Sequence, residues 1–284
     1  MKKSWYFESF DLYPDLALGF QIKKKLLTKK TPFQKIEICQ TDRFGRVLFL
    51  DGIVQTTEKD EFVYHEMIVH LPLFLHPCPK KVLIIGGGDG GALREVLRHP
   101  VKQVHLVEID KEVIKASERF LSKINRGSFK NKRAKIHIED GLKFIKKYQN
   151  EFDIVIIDSS DPIGPAKKLF SLGFYRDIKK ALKSDGILVA ESGSAFLQTN
   201  ELKNNWQNTK KVFPSANVYF ADIPTYTGGL YGFIIGSKKI NLVKVNPKQI
   251  EKKYQAMKLK TKYYDPQIHF ASFIWPNYIK KILR

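Results

Sequence analysis

Cysteine is scarce in this chain: Cys39 and Cys78 are the only two in 284 residues. One falls in a strand-like run and the other beside a proline-containing turn, with no metal-ligand spacing around either. A disulfide-built fold and a metal centre are therefore not expected, whereas a reducing, cytoplasmic setting is. Long apolar runs are missing too. None reaches the roughly 18 residues that a membrane span needs. The opening "MKKSWYFESF" has two lysines but no apolar stretch behind them, so no secretion signal is expected. Acids are also few, with 29 Asp and Glu against 49 Lys and Arg, a net charge of +20. Such an excess invites a nucleic-acid partner, because lysine-rich faces neutralise phosphates. The basic runs are scattered, however: "KKKLLTKK", "KFIKK", "AKK", "IKKALK", "NTKK" and "KKYQAMKLK". They read mostly as solvated faces of amphipathic helices, and no nucleic-acid or membrane partner is expected.

What is there is the composition of a globular protein, 43% hydrophobic and 27% charged. The length suffices for one large core and a smaller domain. Residues 1–60 read as a β domain. "TPFQKIEICQ" and "RVLFLDG" alternate apolar and polar residues around the turn "TDRFG". The resulting antiparallel sheet is too thin to stand alone and must pack on a neighbouring domain or subunit. Residues 61–284 read as an α/β domain. "DEFVYHEMIVHLPLFLHP" has helical spacing at Phe62, Met67, Ile68 and Leu71 and is closed by Pro77. Strands "KVLIIG", "QVHLVEID", "KIHIED", "FDIVII" and "ILVAES" then alternate with helices, among them "FYRDIKKALKSDG" with Gly186 as its stop. The pattern predicts a Rossmann-like domain with a largely parallel sheet covered on both faces.

Ligands of such sheets bind outside the carboxyl ends of the strands. The segments there are "GGGDGG", "EID", "EDG", "DSSDP" and "ESGS", and carboxylates recur in them. Gly86, Gly88 and Gly91 fit G-x-G-x-x-G, a pattern that cradles nucleotides. Glu108, at the end of the second strand of this run, is placed to accept hydrogen bonds from a ribose; Asp110 is the better helix cap. Asp140 suits an adenine amino group, with Gly141 letting the backbone approach the ring, although an Asx turn explains Asp140 equally well. Asp89 then separates dinucleotides from sulfonium ligands. A like charge at about 4 Å costs several kcal/mol at an effective dielectric near 20, so a pyrophosphate is disfavoured and a cation favoured. Asp158 closes a buried strand, and Asp161 follows it across Ser159 and Ser160. Two carboxylates so close raise each other's pKa unless a cation lies between them. The absence of an aromatic after Asp158 argues against a base-modifying methyltransferase. A polycationic acceptor such as a diamine fits the acids better.

These motifs resemble the polyamine aminopropyltransferase family, spermidine synthases in particular. The resemblance rests on "VLIIGGGDGGALREVLRH", "LVEID", "EDG" and "FDIVIIDSSDPIGPAKKLF". It extends to "FGRVLFLDGIVQTTEKDEFVYHEM", "IPTYTGG" and "YYDPQIHFASF", nearly the whole chain. It implies transfer of an aminopropyl group from decarboxylated S-adenosylmethionine, as co-substrate, to putrescine, with no recycled cofactor and no metal. It further implies that Asp158 is the general base, with Tyr64 and Asp161 beside it. Tyr64, His65, Ser159, Ser160 and Tyr226 would contact substrate, and Asp89 and Asp161 would hold amine groups. Gln34, Glu108, Asp140, Gly141 and Pro165 would contact the thioadenosine part, with Gln55 a weaker candidate. A homodimer or homotetramer is implied. Two departures, Glu191 where the family is expected to have Gln and Trp275 where Leu is common, leave the acceptor open between putrescine, agmatine, cadaverine and spermidine. A methyltransferase of the same fold and a basic nucleic-acid-binding module are the rival readings.

Overall fold

The computed structural model describes residues 4–9, 13–160, 164–242 and 244–283, with 164–166 described by their backbone alone. Strands β1 (Ser4–Phe7), β2 (Gly19–Lys30), β3 (Lys35–Thr41), β4 (Arg46–Leu50) and β5 (Ile53–Thr57) form an antiparallel sheet in that order. Successive strand residues point to opposite faces, and here both faces carry buried side chains. Cys39, Val47 and Phe49 pack with Phe20 and Val54 on one face. On the other, Ile36, Ile38 and Leu48 pack against Val113, Ala116, Leu121 and Ile124. The sheet therefore leans on the rest of the chain, as its thinness requires. The "KKKLLTKK" run is not helical: it lies in β2, where Lys25 reaches Glu37 at 2.8 Å. Pairing with β3 overrides the helix preference of its lysines and leucines.

Helix α1 (Glu61–Leu75) follows, then β6 (Lys81–Gly86), α2 (Gly91–Leu97), β7 (Gln103–Glu108), α3 (Lys111–Phe120) and α4 (Ser122–Asn125). Next come β8 (Ala134–Ile138), α5 (Gly141–Phe144), β9 (Phe152–Asp158), α6 (Leu172–Ala181), β10 (Leu182–Ser194) and α7 (Thr199–Val212). Strands β11 (Ser215–Asp222) and β12 (Leu230–Ser237) and helices α8 (Pro247–Met257), α9 (Pro266–Ala271) and α10 (Asn277–Ile282) complete the chain. The second sheet has the order β11-β12-β10-β9-β6-β7-β8. It is parallel from β10 to β8, and β12 joins β10 antiparallel. Alternation splits its side chains between two cores. Val82, Ile84, Ile156 and Val189 meet α1 and α2, whereas Leu83, Ile85, Ile157 and Leu188 meet α6 and α7.

Two local expectations change. Helix α1 has no wet face: every residue from Val63 to Leu75 is buried. Its core also includes the sheet and residues of α2 and α8, so one apolar stripe understates its contacts. Helix α6 ends at Ala181, not at Gly186. Leu182 is already extended and starts β10, and "KSDG" is absorbed by an irregularity in the strand pairing between Leu182 and Ile187.

Candidate active site

The strand register decides which acids meet. Gly86 of β6 lies opposite Asp158 of β9, Val107 of β7 opposite Ile85, and Ala190 of β10 opposite Ile157. By the period of two, Glu108, Asp158 and Glu191 all emerge on the α1 side of the sheet at strand ends. Read across the sheet, the order is Glu191, Asp158, the Gly86–Gly91 loop with Asp89, then Glu108, then Asp140. All but Glu191, which is buried outside the lining, join residues of the first sheet around a cavity of about 710 Å³.

The glycine loop is shaped by its neighbours. Gly86 has φ +86°, and a Cβ there would lie 2.1 Å from the Asp158 carbonyl oxygen. Gly87 N–H donates to that same oxygen at 2.7 Å. A Cβ at Gly91 would overlap the His65 ring, with contacts of 2.2–2.5 Å. So the glycines seat Asp158 and His65 as much as any ligand. Gly141 has a similar explanation, since a Cβ there would meet Ile85 at 2.5 Å. Packing against β6 is sufficient reason for it.

Asp158 is buried, and its Oδ1 accepts a 2.7 Å hydrogen bond from the Tyr64 hydroxyl. Its Oδ2 has no hydrogen-bond partner among the described residues. Burial, then the nearby Asp89, push its pKa up to about 6, with His65 and the Tyr64 hydroxyl opposing. Asp89 goes the other way. Burial disfavours its charge, but His65 holds its pKa below the usual value, helped by the Gly91 N–H at 2.6 Å. His65 sits between two carboxylates, Nδ1 at 2.7 Å from Glu61 Oε2 and Nε2 at 3.4 Å from Asp89 Oδ1. Burial alone would strip its proton, yet Asp89 and Glu61 outweigh it and raise the pKa to about 10. Glu61 in turn binds Arg94 at 2.8 Å, and Arg94 binds Glu95 at 2.7 Å. Charge alternates along this row, so each buried ion has its counter-ion.

Glu108 accepts the Asp110 N–H at 2.9 Å, and burial raises its pKa to about 7 despite that bond. Asp110 caps α3 through the Glu112 N–H and also takes the Thr31 hydroxyl at 2.7 Å and the Gln34 amide at 3.2 Å. That ties the first sheet to the cleft. Asp140 caps α5 through the Leu142 N–H at 2.8 Å and still lines the cavity. A second tie runs through Asp60, whose Oδ2 accepts the Thr225 N–H at 2.9 Å and the Thr225 hydroxyl at 2.6 Å. The next residue, Tyr226, donates its hydroxyl to the Gln55 carbonyl at 2.6 Å.

Of the residues singled out from sequence, Gln34, Gln55, Tyr64, Asp89, Glu108, Asp140, Gly141, Asp158, Ser159, Ser160 and Tyr226 all line this cavity. His65 does not; it stands behind Asp89, 1% exposed. Asp161 lies outside the described residues, as does the side chain of Pro165. Sequence reasoning missed Tyr231, Gln198 and Glu8 in the lining. No motif marks them, and Tyr231 sits on the antiparallel edge that the strand–helix alternation does not foretell. Trp275 is remote from acceptor choice: its indole N–H donates to the Val218 carbonyl at 2.8 Å, and its ring packs on Trp206. Away from the cleft, His76, Asp153 and Asp185 each bring a donor atom within 4.8 Å of the others. Asp153 already accepts from Lys80 N–H, Lys81 N–H and Lys183 Nζ. His76 Nδ1 accepts the Cys78 N–H at 3.2 Å, which puts the proton of the neutral ring on Nε2. His76 Nε2 lies 3.5 Å from Asp185 Oδ1 and has no hydrogen-bond partner among the described residues.

Comparison with known proteins agrees with the geometry. Residues 61–247 match the spermine/spermidine synthase domain, and residues 4–58 the spermidine synthase tetramerisation domain. A polyamine aminopropyltransferase of Thermoanaerobacter sp. (strain X514) is 47% identical over 279 residues, 98% of each chain. That of Bacillus subtilis (strain 168) is 42% identical over 285 residues, the full length of both. Among solved structures, a spermidine synthase in complex with the transition-state analogue AdoDATO superposes with a TM-score of 0.94 at 40% identity, covering 100% of this chain and 96% of that one. The spermidine synthase from Thermotoga maritima gives 0.91 at 40% identity, covering 100% and 95%. With the buried Asp158, the glycine loop bearing Asp89 and Glu108 in one cleft, and with family and relative matches over nearly its full length, the chain belongs to the spermine/spermidine synthase family.

Proposed function

We propose that this chain transfers the aminopropyl group of decarboxylated S-adenosylmethionine to putrescine, giving spermidine and methylthioadenosine. The observation that carries the reading is Asp158: a buried carboxylate with one oxygen held by Tyr64 and the other unpartnered among the described residues, beside the anionic Asp89. In the reaction the amine lone pair attacks the propyl carbon next to sulfur, the C–S bond breaks with its electrons going to sulfur, and a C–N bond forms. Asp158 takes the proton from nitrogen. An alkylammonium has a pKa near 10, so removing that proton on the enzyme is necessary. A positioned base contributes about 10²–10⁴-fold, and in-line positioning adds more. The sulfonium supplies its own leaving group.

On this reading Asp140 and Glu108 take the adenine and ribose, Gln34, Gln55, Gly141 and Pro165 border the thioadenosine, and Asp89 faces the aminopropyl end. Ser159, Ser160, Asp161 and Tyr226 border the acceptor. His65 acts through Asp89. The carboxylate of intact S-adenosylmethionine would face Asp89 and Asp158, and that repulsion selects the decarboxylated donor. Agmatine, cadaverine or spermidine in place of putrescine, cytoplasmic residence, assembly as a dimer or tetramer, and a division into residues 1–60 and 61–284 complete the proposal.

One experiment separates this from methyl transfer or nucleic-acid binding. The protein is incubated with each donor form and a panel of amines, and products are read by mass spectrometry. Methylthioadenosine with an aminopropylated amine is expected from the decarboxylated donor only. Asp158→Asn should lower kcat by about 10²–10⁴-fold while donor affinity, read by calorimetry, is kept. Retained turnover would assign the base to another group.

A further inference from the structure

We propose that Glu61, gripped by Arg94, is a positioning residue for the transfer: it aims His65 and keeps it charged, and so fixes which of the two cleft aspartates is the anion and which the base. The inference rests on the aminopropyl-transfer reading and adds to it residues that stand behind the cleft. Glu61, His65 and Arg94 are buried, and none of them lines the cavity.

Geometry comes first. One turn of α1 separates Glu61 from His65, which puts both side chains on one face of the helix. The ring has an acceptor on each side: Nδ1 lies 2.7 Å from Glu61 Oε2 and Nε2 3.4 Å from Asp89 Oδ1. A neutral imidazole carries one N–H and serves only one of them, whereas the imidazolium serves both. The ring is also wedged in place, since a Cβ at Gly91 would overlap it. Glu61 is held from the far side. Arg94 donates to both its oxygens, Nη1 to Oε1 at 3.0 Å and Nη2 to Oε2 at 2.8 Å. Arg94 donates further to Glu95 Oε1 at 2.7 Å and to the Ile124 carbonyl, so α1, α2 and α4 meet on one guanidinium. A two-pronged grip of this kind orients a carboxylate as well as balancing its charge.

Consequence comes second. Asp89 and Asp158 feel each other's charge, and two such buried carboxylates compete for one proton unless a cation takes a side. His65 takes the side of Asp89, while Asp158 has the neutral Tyr64 hydroxyl. The imbalance leaves Asp89 ionised and gives the proton exchange to Asp158. Both contacts to Asp89, from His65 and from the Gly91 N–H, use Oδ1. Oδ2 is the oxygen left for the donor's ammonium. The charged groups around the ring are Glu61 from its own helix, Asp89 from the glycine loop, Arg94 behind Glu61 and Asp158 from β9. Of these acids only Glu61 lies outside the cavity lining. When an ammonium in the cleft draws on the charge of Asp89, Glu61 still holds the imidazolium.

The test follows kcat/KM for the decarboxylated donor against pH, at saturating putrescine. In Glu61→Gln, His65 keeps one carboxylate and releases its proton more easily. The imidazolium's field, which opposes the rise of the Asp158 pKa, is lost with it. The acid limb should then move up by about one pH unit, and donor affinity should fall about tenfold. Glu61→Asp, which keeps the charge one methylene further back, should hold the limb near its wild-type position. His65→Gln should shift the limb as Glu61→Gln does, and adding Glu61→Gln to it should move the limb no further. A loss uniform across pH, or a limb that Glu61→Gln moves as far in the His65→Gln background as in the wild type, would overturn the assignment. If Glu61→Gln does not fold, the wild type carries the test: nitrogen NMR should find both ring nitrogens of His65 protonated at pH 7, and a neutral ring would overturn it equally. A wild type that releases no methylthioadenosine removes the parent reading and this one with it.

Discussion

At the scale of single residues, the cleft assigns opposite states to two aspartates. His65 keeps Asp89 ionised, whereas burial and Asp89 leave Asp158 ready to take a proton near neutral pH. A base works only when deprotonated, so kcat/KM should fall as pH drops through about 6, the value given for Asp158. The same shift has a cost in stability. Because Asp158 holds its proton more tightly when folded, stability falls as pH rises from the ordinary aspartate value towards that raised one, and the full cost stands above it. Asp158→Asn should therefore be more stable than the wild type at pH 7 by about 1–3 kcal/mol, and unfold at a higher temperature. The difference should shrink towards pH 4 in calorimetric scans. A variant less stable than wild type at pH 7 would count against the buried-anion account. Asp158, Asp89 and Glu108 were legible in the sequence because strand ends are where ligands bind in such sheets. The setting of His65 was not. Adjacent helix residues point about 100° apart, so Tyr64 reaches Asp158 while His65 turns under the glycine loop to Asp89.

At the scale of elements, the cleft depends on joints between pieces distant in sequence. Asp60, at the start of α1, binds Thr57 on one side and Thr225 on the other. It thereby holds the turn that carries Tyr226 against the end of β5. Asp60→Ala leaves buried donors without an acceptor, which costs about 2–4 kcal/mol. Urea unfolding should show that loss. KM for the amine should rise with it, while donor affinity changes less, because Asp110 and Glu108 are untouched. The alternating α/β part was readable because buried parallel strands are near-continuous apolar runs. The edge formed by β11 and β12 was not, and Tyr231 went with it. β2 was hidden for a different reason: its lysines suggest a helix until β3 is there to pair with it.

At the scale of the whole molecule, the net charge of +20 opposes the dicationic acceptor proposed above. Asp89, Glu108, Asp140 and Asp158 lie together in one cleft, while the lysine runs are scattered along the chain. Screening separates the two: the Debye length is about 30 Å at 10 mM salt and about 8 Å at 150 mM. Added salt should remove the long-range repulsion before it weakens the short-range attraction. For putrescine, kcat/KM should rise from 10 to 150 mM salt and decline beyond it. A steady decline from the lowest salt would mean that the cleft field already dominates at long range.

The bond from Tyr226 to the Gln55 carbonyl, and that from Gln34 to Asp110, make the first sheet a wall of the cleft. If that sheet also carries the subunit contacts proposed above, assembly and donor binding share one wall. Each then strengthens the other by mass action, since a ligand that prefers the assembled wall shifts the balance towards it. Protein concentration becomes a hidden variable of affinity, and dilution acts on the cleft as a weak competitor would.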